Sequence, residues 1–290
     1  MLKDSQNNKS KDYIYAALLA LLSFTLCFQY IVPAVCGVYH DDAIYVITAK
    51  AIAQGDGYRL LNLPNTPVQT KYPVLYPLLL AAIWKFWPKF PQNIFYMQIM
   101  TSLIASIAIG LCYLFFLRFK YFSRFIAFTS CFVCITIPEF LYFSTNTLTE
   151  LPFLFLVIVS LWGIGHYSTH LPNNKLQELS LGILIALPFL CRSVGIVLII
   201  MGLLFYYWKN GSIRWLMLGI IVSVLPWIFW IHGAMGNLSN DSVNGYYTDY
   251  VGWWLHIAPS FLVKIIVTNL LHVIAGFIKL SADGLIALLW

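Results

Sequence analysis

From Tyr13 to Val35 the chain carries no charged residue. At about 1.5 Å per helical residue, that run is long enough to cross the roughly 30 Å hydrocarbon core of a bilayer. Apolar runs recur at about 93–117, 122–138, 150–167, 179–208, 213–232 and 257–280. The run 179–208 is broken by Cys191-Arg192-Ser193 and Gly195, and reads as two short helices in a hairpin. The expected fold is therefore an all-α polytopic membrane protein of about seven to eight spans. Composition agrees, with 60% hydrophobic and 10% charged residues. A soluble domain so built would expose large apolar patches to water.

The formal charge of +6 would suggest nucleic acid in a soluble protein. Here the basic residues flank apolar runs, where Lys and Arg set orientation, so no nucleic-acid partner is expected. Lys3, Lys9 and Lys11 precede the first run, which is too long for a signal peptide, and Pro33-Ala34-Val35 is a poor cleavage context. It reads as an uncleaved first span with a cytoplasmic N-terminus. The inner segments then hold Lys3, Lys9, Lys11, Arg118, Lys120, Arg124, Lys175, Lys209 and Arg214, while the outer connections 139–149 and 233–256 hold no Lys or Arg. Asp41, Asp42, Asp56, Glu139, Glu150, Asp241 and Asp249 fall on or beside the outer face. That face, periplasmic or extracellular in a multi-pass cell-membrane protein, is the expected working side. A bacterial inner membrane is the expected location.

The six cysteines lie mostly within apolar runs, and Cys131-x-x-Cys134 lacks a second pair, so small-apolar packing is expected of them. His166, His170, His232, His256 and His272 show no ligand spacing, and Trp253-Trp254 fits an interfacial aromatic belt. There is no phosphate-cradling G-x-x-x-x-G-K-[ST] loop and no G-x-G-x-x-G after a strand. No nucleotide cofactor is expected.

The first outer loop, 36–92, is far longer than a connector requires. Residues 42–54 place Ile44, Ile47 and Ala51 on one helical face, with Gly55-Asp56-Gly57 as a stop. This predicts an amphipathic helix lying on the membrane surface. A Pro/Asn-rich loop follows over 63–67. Lys71-Tyr72-Pro73 then leads into an apolar helix over 74–87, too short to span, with Trp84 and Trp87 at its end.

Several side chains here could carry chemistry. Asp41 and Tyr45 share a helical face at i, i+4. Asp41 either caps the helix or acts on a substrate, and Asp42 is not expected to be needed for the cap. Together the two carboxylates could also hold a divalent cation. Lys71 and Arg59 are each either anchors at the membrane surface or cations for a phosphate. Thr147 and Glu150 have capping-box spacing. Arg192 interrupts an apolar run, where an ionisable group is costly and marks function by default, or sits at a hairpin tip within reach of head groups.

These residues resemble a known family. Asp41-Asp42-x-x-Tyr45, then Ala49, Gly55 and Tyr58, then Lys71-Tyr72-Pro73-Val74-Leu75-Tyr76-Pro77, and finally Thr149-Glu150-x-Pro152 are similar, in order and membrane placement, to GT-C glycosyltransferases. The likeness is to those related to protein O-mannosyltransferases and lipid A aminoarabinose transferases, and its motifs cover about half the chain. The resemblance implies a GT-C-like helical bundle whose donor is a sugar on a polyprenyl phosphate, undecaprenyl or dolichyl. The acceptor would be an envelope lipid, polysaccharide or protein. Asp41 would be the general base with Asp42 beside it. Lys71 would face the donor phosphate, with Arg192 as a second cation, and Tyr45, Arg59, Tyr72 and Glu150 would line the site. Transfer would invert the anomeric carbon without an obligatory metal.

The family's second acid is commonly Glu, whereas this chain has Asp42. Family members also run on into further spans and an outer soluble domain. Residues 1–290 are therefore expected to form one transmembrane catalytic module, short at its C-terminus. Two other readings remain open at this stage: a carrier or flippase of a lipid-linked saccharide, and a non-catalytic membrane subunit.

Overall fold

The computed structural model describes residues 2–169, 174–210, 213–235 and 259–289. Asp241, Asp249, Trp253, Trp254, His170 and His256 lie outside them. The described residues are helical apart from loops and one isolated bridge between Arg59 and Val68. The chain groups into two compact units, 1–237 and 238–290.

The described residues of the first unit form ten α-helices: α1 (Leu2–Tyr30), α2 (Asp41–Gln54), α3 (Leu75–Phe86), α4 (Gln92–Arg118), α5 (Arg124–Thr136), α6 (Pro138–Thr145), α7 (Glu150–Thr169), α8 (Lys175–Cys191), α9 (Ile196–Asn210) and α10 (Arg214–Met235). In the second unit a single helix, α11 (Pro259–Leu289), is described. Among the described residues, four helices are long and apolar enough to cross a membrane: residues 10–30 of α1, all of α4, 150–167 of α7 and 214–234 of α10. α5 and α6 make a fifth if taken as one bent span. The expected seven to eight are not reached by length and composition. The shortfall lies in α8 and α9, whose lengths of 17 and 15 residues fall below a straight crossing, and in the expected run 257–280, of which only Val263–Gly276 counts as a shorter apolar helix among the described residues.

The bend of 66° between α5 and α6 has a local cause. Pro138 opens α6 and holds the preceding Ile137 extended, at φ −71° and ψ 131°, so the first helix must stop there. α1 and α4 pack closely because their seam is built of small residues. A Cβ placed on Gly110 would lie 2.9 Å from the carbonyl oxygen of Ala16. Buried hydroxyls lace this seam and the next: Ser106 donates to Ser23 Oγ of α1 at 3.2 Å, and Ser102 donates to the Ser144 carbonyl of α6 at 2.9 Å. Small-residue contacts of this kind, with interhelical hydrogen bonds, are how helices associate where lipid removes the hydrophobic drive. At one end of the bundle, Arg124 forks onto both oxygens of Asp12, at 2.6 and 3.1 Å, tying α5 to α1.

The hairpin expected over 179–208 is present. Gly202 approaches Ile185 so closely that a Cβ there would lie 2.8 Å from Ile185 Cδ1. In one continuous helix those residues would stand about 25 Å apart. The turn is a single 3₁₀ turn, Ser193–Gly195, and Gly195 packs its Cα against the Pro188-Phe189 backbone. On its other side α8 crosses α10 through Gly182 and Gly219, whose added Cβ atoms would lie 2.1 and 2.2 Å from carbonyl oxygens of Leu216 and Leu179.

The loop between α1 and α4 departs from expectation in one respect. α2 is not half-solvated like a helix lying on a surface. It buries Ile44, Tyr45, Val46, Thr48, Ala49 and Ala51, leaving Ile47 only partly covered. Tyr45, Val46 and Ala49 join Tyr76, Leu80, Ala81 and Trp84 of α3, with Met97 of α4, in one core cluster. The small residues Thr48, Ala49 and Ala51 let α2 pack on several sides at once. The stop at Gly55 is as expected: at φ 90° its N–H bonds to Ile52 O while Asp56 N–H reaches Ala51 O, the paired pattern of a glycine C-cap.

Candidate functional site

Of the residues singled out by sequence, Asp41, Tyr45, Tyr72, Glu150 and Arg192 converge where the start of α2, the start of α7 and the tip of the α8–α9 hairpin meet. The two adjacent aspartates have different surroundings. Asp42 is 1% exposed, and its carboxylate accepts four backbone N–H groups. Oδ2 takes those of Gly37 (2.7 Å) and Val38 (3.2 Å), and Oδ1 those of Tyr39 (3.2 Å) and Ala43 (2.8 Å). It is the anchor of the loop that delivers the chain to α2. His40, held inside that clasp, sits at φ 65° and ψ −53°, a backbone conformation costing an L residue about 1–3 kcal/mol. The residue next along the chain is Asp41.

Asp41 is the first residue of α2 rather than its N-cap, a place taken by His40, which makes no side-chain cap hydrogen bond. The Asp41 side chain is 41% exposed, and Oδ1 accepts a 2.6 Å hydrogen bond from the Tyr72 hydroxyl, with His40 Nδ1 at 3.6 Å. A half-open carboxylate aimed by one donor is available to a substrate. A carboxylate filled by four amides is not, so the adjacent pair does not present joint oxygens to a cation. Among the described residues no three His, Cys, Asp or Glu side chains converge as a metal site.

From Asp41 a polar and aromatic chain crosses to the hairpin tip. Tyr72 meets Tyr45 edge-on with centroids 5.4 Å apart, and Tyr45 meets Tyr76 likewise at 5.5 Å. The Tyr45 hydroxyl lies 3.2 Å from Thr149 Oγ1, and Thr149 in turn accepts from Arg192 Nη1 at 2.9 Å. The same Nη1 donates to Glu150 Oε1 at 2.5 Å, forming an ion pair in which both side chains are about one-third exposed. Burial raises the Tyr45 hydroxyl well above its ordinary pKa, so it stays a neutral donor and acceptor. Arg192 is extended at the break between α8 and the 3₁₀ turn, which swings it out of the helix and toward the start of α7.

Thr147 and Glu150 do not form a capping box. The Thr147 hydroxyl is buried without a hydrogen-bond partner, and Glu150 turns to Arg192 because an ion pair outweighs a neutral cap. Lys71 is adjacent to Tyr72, and its Nζ sits 5.0 Å from the centre of that ring, a cation–π contact. Its backbone N–H is held by Gln69 Oε1 at 2.7 Å.

Arg59 is not drawn into this cluster by any contact shown. It donates to the Thr66 carbonyl at 3.1 Å within its own loop, where Tyr58 and Gln69 pair across the Arg59–Val68 bridge. That loop is fastened twice more. Tyr58 donates to the Tyr72 carbonyl at 3.0 Å, and Trp230 of α10 donates from Nε1 to the Gln69 carbonyl at 3.0 Å.

Sequence reasoning missed Thr149 as a linking residue and the amide clasp on Asp42. Thr149 stood beside Glu150 in a recognisable motif, which was the available signal. Nothing in the spacing distinguished a clasped aspartate from an open one.

No protein-family model matches the sequence, and no curated protein matches it. A solved structure does. The fold is similar to a chain of the Saccharomyces cerevisiae protein O-mannosyltransferase Pmt1–Pmt2 complex bound to the sugar donor, with a TM-score of 0.53 and 14% identity. The match covers 81% of this chain and 35% of that one, so this chain spans about a third of its neighbour's length. At that identity the likeness carries the fold alone: this is a GT-C-like helical membrane fold.

Proposed function

We propose that this protein is a membrane glycosyltransferase that moves a sugar from a polyprenyl-phosphate donor to a hydroxyl on an envelope lipid, glycan or protein acceptor. The reaction takes place at the outer face of the membrane and inverts the anomeric carbon. The observation that carries the reading is the open carboxylate of Asp41, aimed by the Tyr72 hydroxyl beside a clasped, buried Asp42. The shared fold with a sugar-donor-bound mannosyltransferase chain raises it above other readings of the same cluster.

The chemistry needs two charges. Asp41 takes the proton of the acceptor hydroxyl as its oxygen attacks the anomeric carbon. The bond from that carbon to the phosphate oxygen breaks, its electron pair leaving with the polyprenyl phosphate. Arg192 is the cation best disposed toward that leaving group. Its Nη1 is tied to Thr149 and Glu150, and Nη2 and Nε have no hydrogen-bond partner among the described residues. Donors already in place where phosphate charge develops lower the barrier more than any other device open to such a site. Lys71 adds positive charge beside Tyr72, Tyr45 holds the link through Thr149, and Asp42 positions Asp41 without reacting.

The test compares envelope glycolipids, polysaccharides and glycoproteins by mass spectrometry. Cells lacking the gene would be compared with the same cells carrying wild type or Asp41→Asn at equal membrane levels. One sugar should vanish on deletion and return with wild type alone. Restoration by both versions would overturn the assignment of Asp41 and favour a carrier.

A further inference from the structure

The segment between α1 and α4 carries five basic residues, Lys50, Arg59, Lys71, Lys85 and Lys89. Arg59 and Lys71 are engaged as described. Lys50 and Lys85 are not, and they face one cleft. It encloses about 410 Å³ between the C-terminal ends of α2 and α3, lined by Lys50, Gln54, Trp84, Lys85 and Phe90 together with Ala53 and Pro88. No acidic residue lines it. Neither lysine takes part in a hydrogen bond or ion pair among the described residues.

The floor of the cleft is aromatic. Trp84, 7% exposed, stacks on Phe90 at 6.0 Å with 17° between the rings. Phe90 at the cleft's edge is open to the surroundings, and so are Phe86 and Trp87 next along the chain from Lys85, Phe86 by 77%. Aromatic side chains at the end of an apolar helix too short to span sit at head-group level. Two uncompensated cations and a side-chain amide over a flat apolar floor suit a phosphate attached to something greasy. Helix C-termini do attract lysines, but that attraction does not require both to converge on one acid-free cavity.

We propose that this cleft holds the phosphate of an anionic lipid head group, docking the α2–α3 pair to the membrane surface. The lipid is a resident of the bilayer rather than a substrate, and the proposal does not depend on the transfer chemistry. A lipid is favoured over free phosphate by the exposed aromatic rim, which a small anion would not use.

Native mass spectrometry of the purified full-length protein, titrated with phosphatidylglycerol or phosphatidylcholine, tests this directly. Wild type should retain phosphatidylglycerol in preference to phosphatidylcholine. Lys50→Gln/Lys85→Gln should weaken phosphatidylglycerol binding by about thirtyfold, near the loss of two surface cations. Lys120→Gln/Lys209→Gln, with the same loss of charge elsewhere, should not. Inorganic phosphate at equal concentration should fail to displace the lipid. Unchanged binding in the first double variant, an equal loss in the second, or efficient displacement by inorganic phosphate would each overturn the proposal. Should the double variant unfold, the single variants carry the test, each expected to lose about fivefold.

Discussion

Tyr72 donates its hydroxyl to Asp41 Oδ1 at 2.6 Å across 31 residues of sequence, and so joins the start of α2 to the approach to α3. The segment between them folds back on itself to bring the two together, through the glycine cap at Gly55 and the Tyr58–Gln69 pairing. The aim of the Asp41 carboxylate therefore depends on the whole first loop.

Tyr72→Phe removes that one donor and keeps the ring contact with Tyr45. We expect transfer to fall by about tenfold, and Asp41→Asn to lower it by about a hundredfold or more, as loss of a general base does. Both proteins should insert and unfold as wild type does. Steady-state transfer rates on purified protein check this, and a Tyr72→Phe rate equal to wild type would remove the positioning role.

Asp42 gives the opposite pattern. Asp42→Ala leaves four amide donors without their acceptor, at about 1–3 kcal/mol for each that water cannot reach, and removes the clasp on either side of the strained His40. The variant should be cut faster by protease within 36–40 and unfold at lower temperature, with activity lost in proportion to the folded loop. A stable variant with intact loop protection and no activity would instead make Asp42 a reacting group.

The long apolar helices α1, α4, α7 and α10, the stop at Gly55, the short α3 and the hairpin around Arg192 were legible because each has a one-dimensional signature: apolar length, a glycine, a polar break. The roles of Asp41 and Asp42 were not. Adjacent identical side chains differ only in which backbone amides surround them, and Gly37 at φ 89° and His40 at φ 65° decide that in three dimensions. The burial of α2 was missed for a related reason. Thr48, Ala49 and Ala51 read as weakly apolar in sequence, yet their small size is what admits close neighbours on several sides. Glu150 was seen as a cap because its spacing to Thr147 is local, whereas its partner Arg192 is 42 residues away.

Gly195 tests the hairpin. An added Cβ would lie 2.3 Å from Phe189 N and 2.4 Å from Pro188 C, both backbone atoms that cannot move aside singly. Gly195→Ala should open the turn and displace Arg192 from Glu150, costing about 3 kcal/mol by overpacking. Reduced membrane yield and a lowered unfolding temperature are the expected readouts. Gly233→Ala, which meets nothing within 4 Å, is the control.

The Arg192–Glu150 pair separates support from catalysis. Arg192→Ala strands a half-buried carboxylate, and Glu150→Ala leaves Arg192 held by Thr149 alone. In a double-mutant cycle the stability coupling should be about 1–2 kcal/mol, modest because both side chains are one-third exposed. Activity should not follow stability. Glu150→Ala is expected to keep much of the transfer rate, while Arg192→Ala and the double variant lose it together, with a raised KM for the donor.

Cys36 reports on the clasp and on the side of the membrane at once. Burial and, after it, the nearby Asp42 charge push its thiol up to about 11. At pH 8 only about one thiol in a thousand is then the reactive thiolate. A membrane-impermeant maleimide should label Cys36 slowly from outside, and the rate should rise about tenfold per pH unit until the pH nears 11. Asp42→Asn removes the smaller of the two causes and should speed labelling at pH 8 without abolishing the pH dependence. Rapid labelling of wild type at pH 8 would mean that the loop is open. Labelling from the cytoplasmic side alone would invert the orientation on which an outward-facing Asp41 depends.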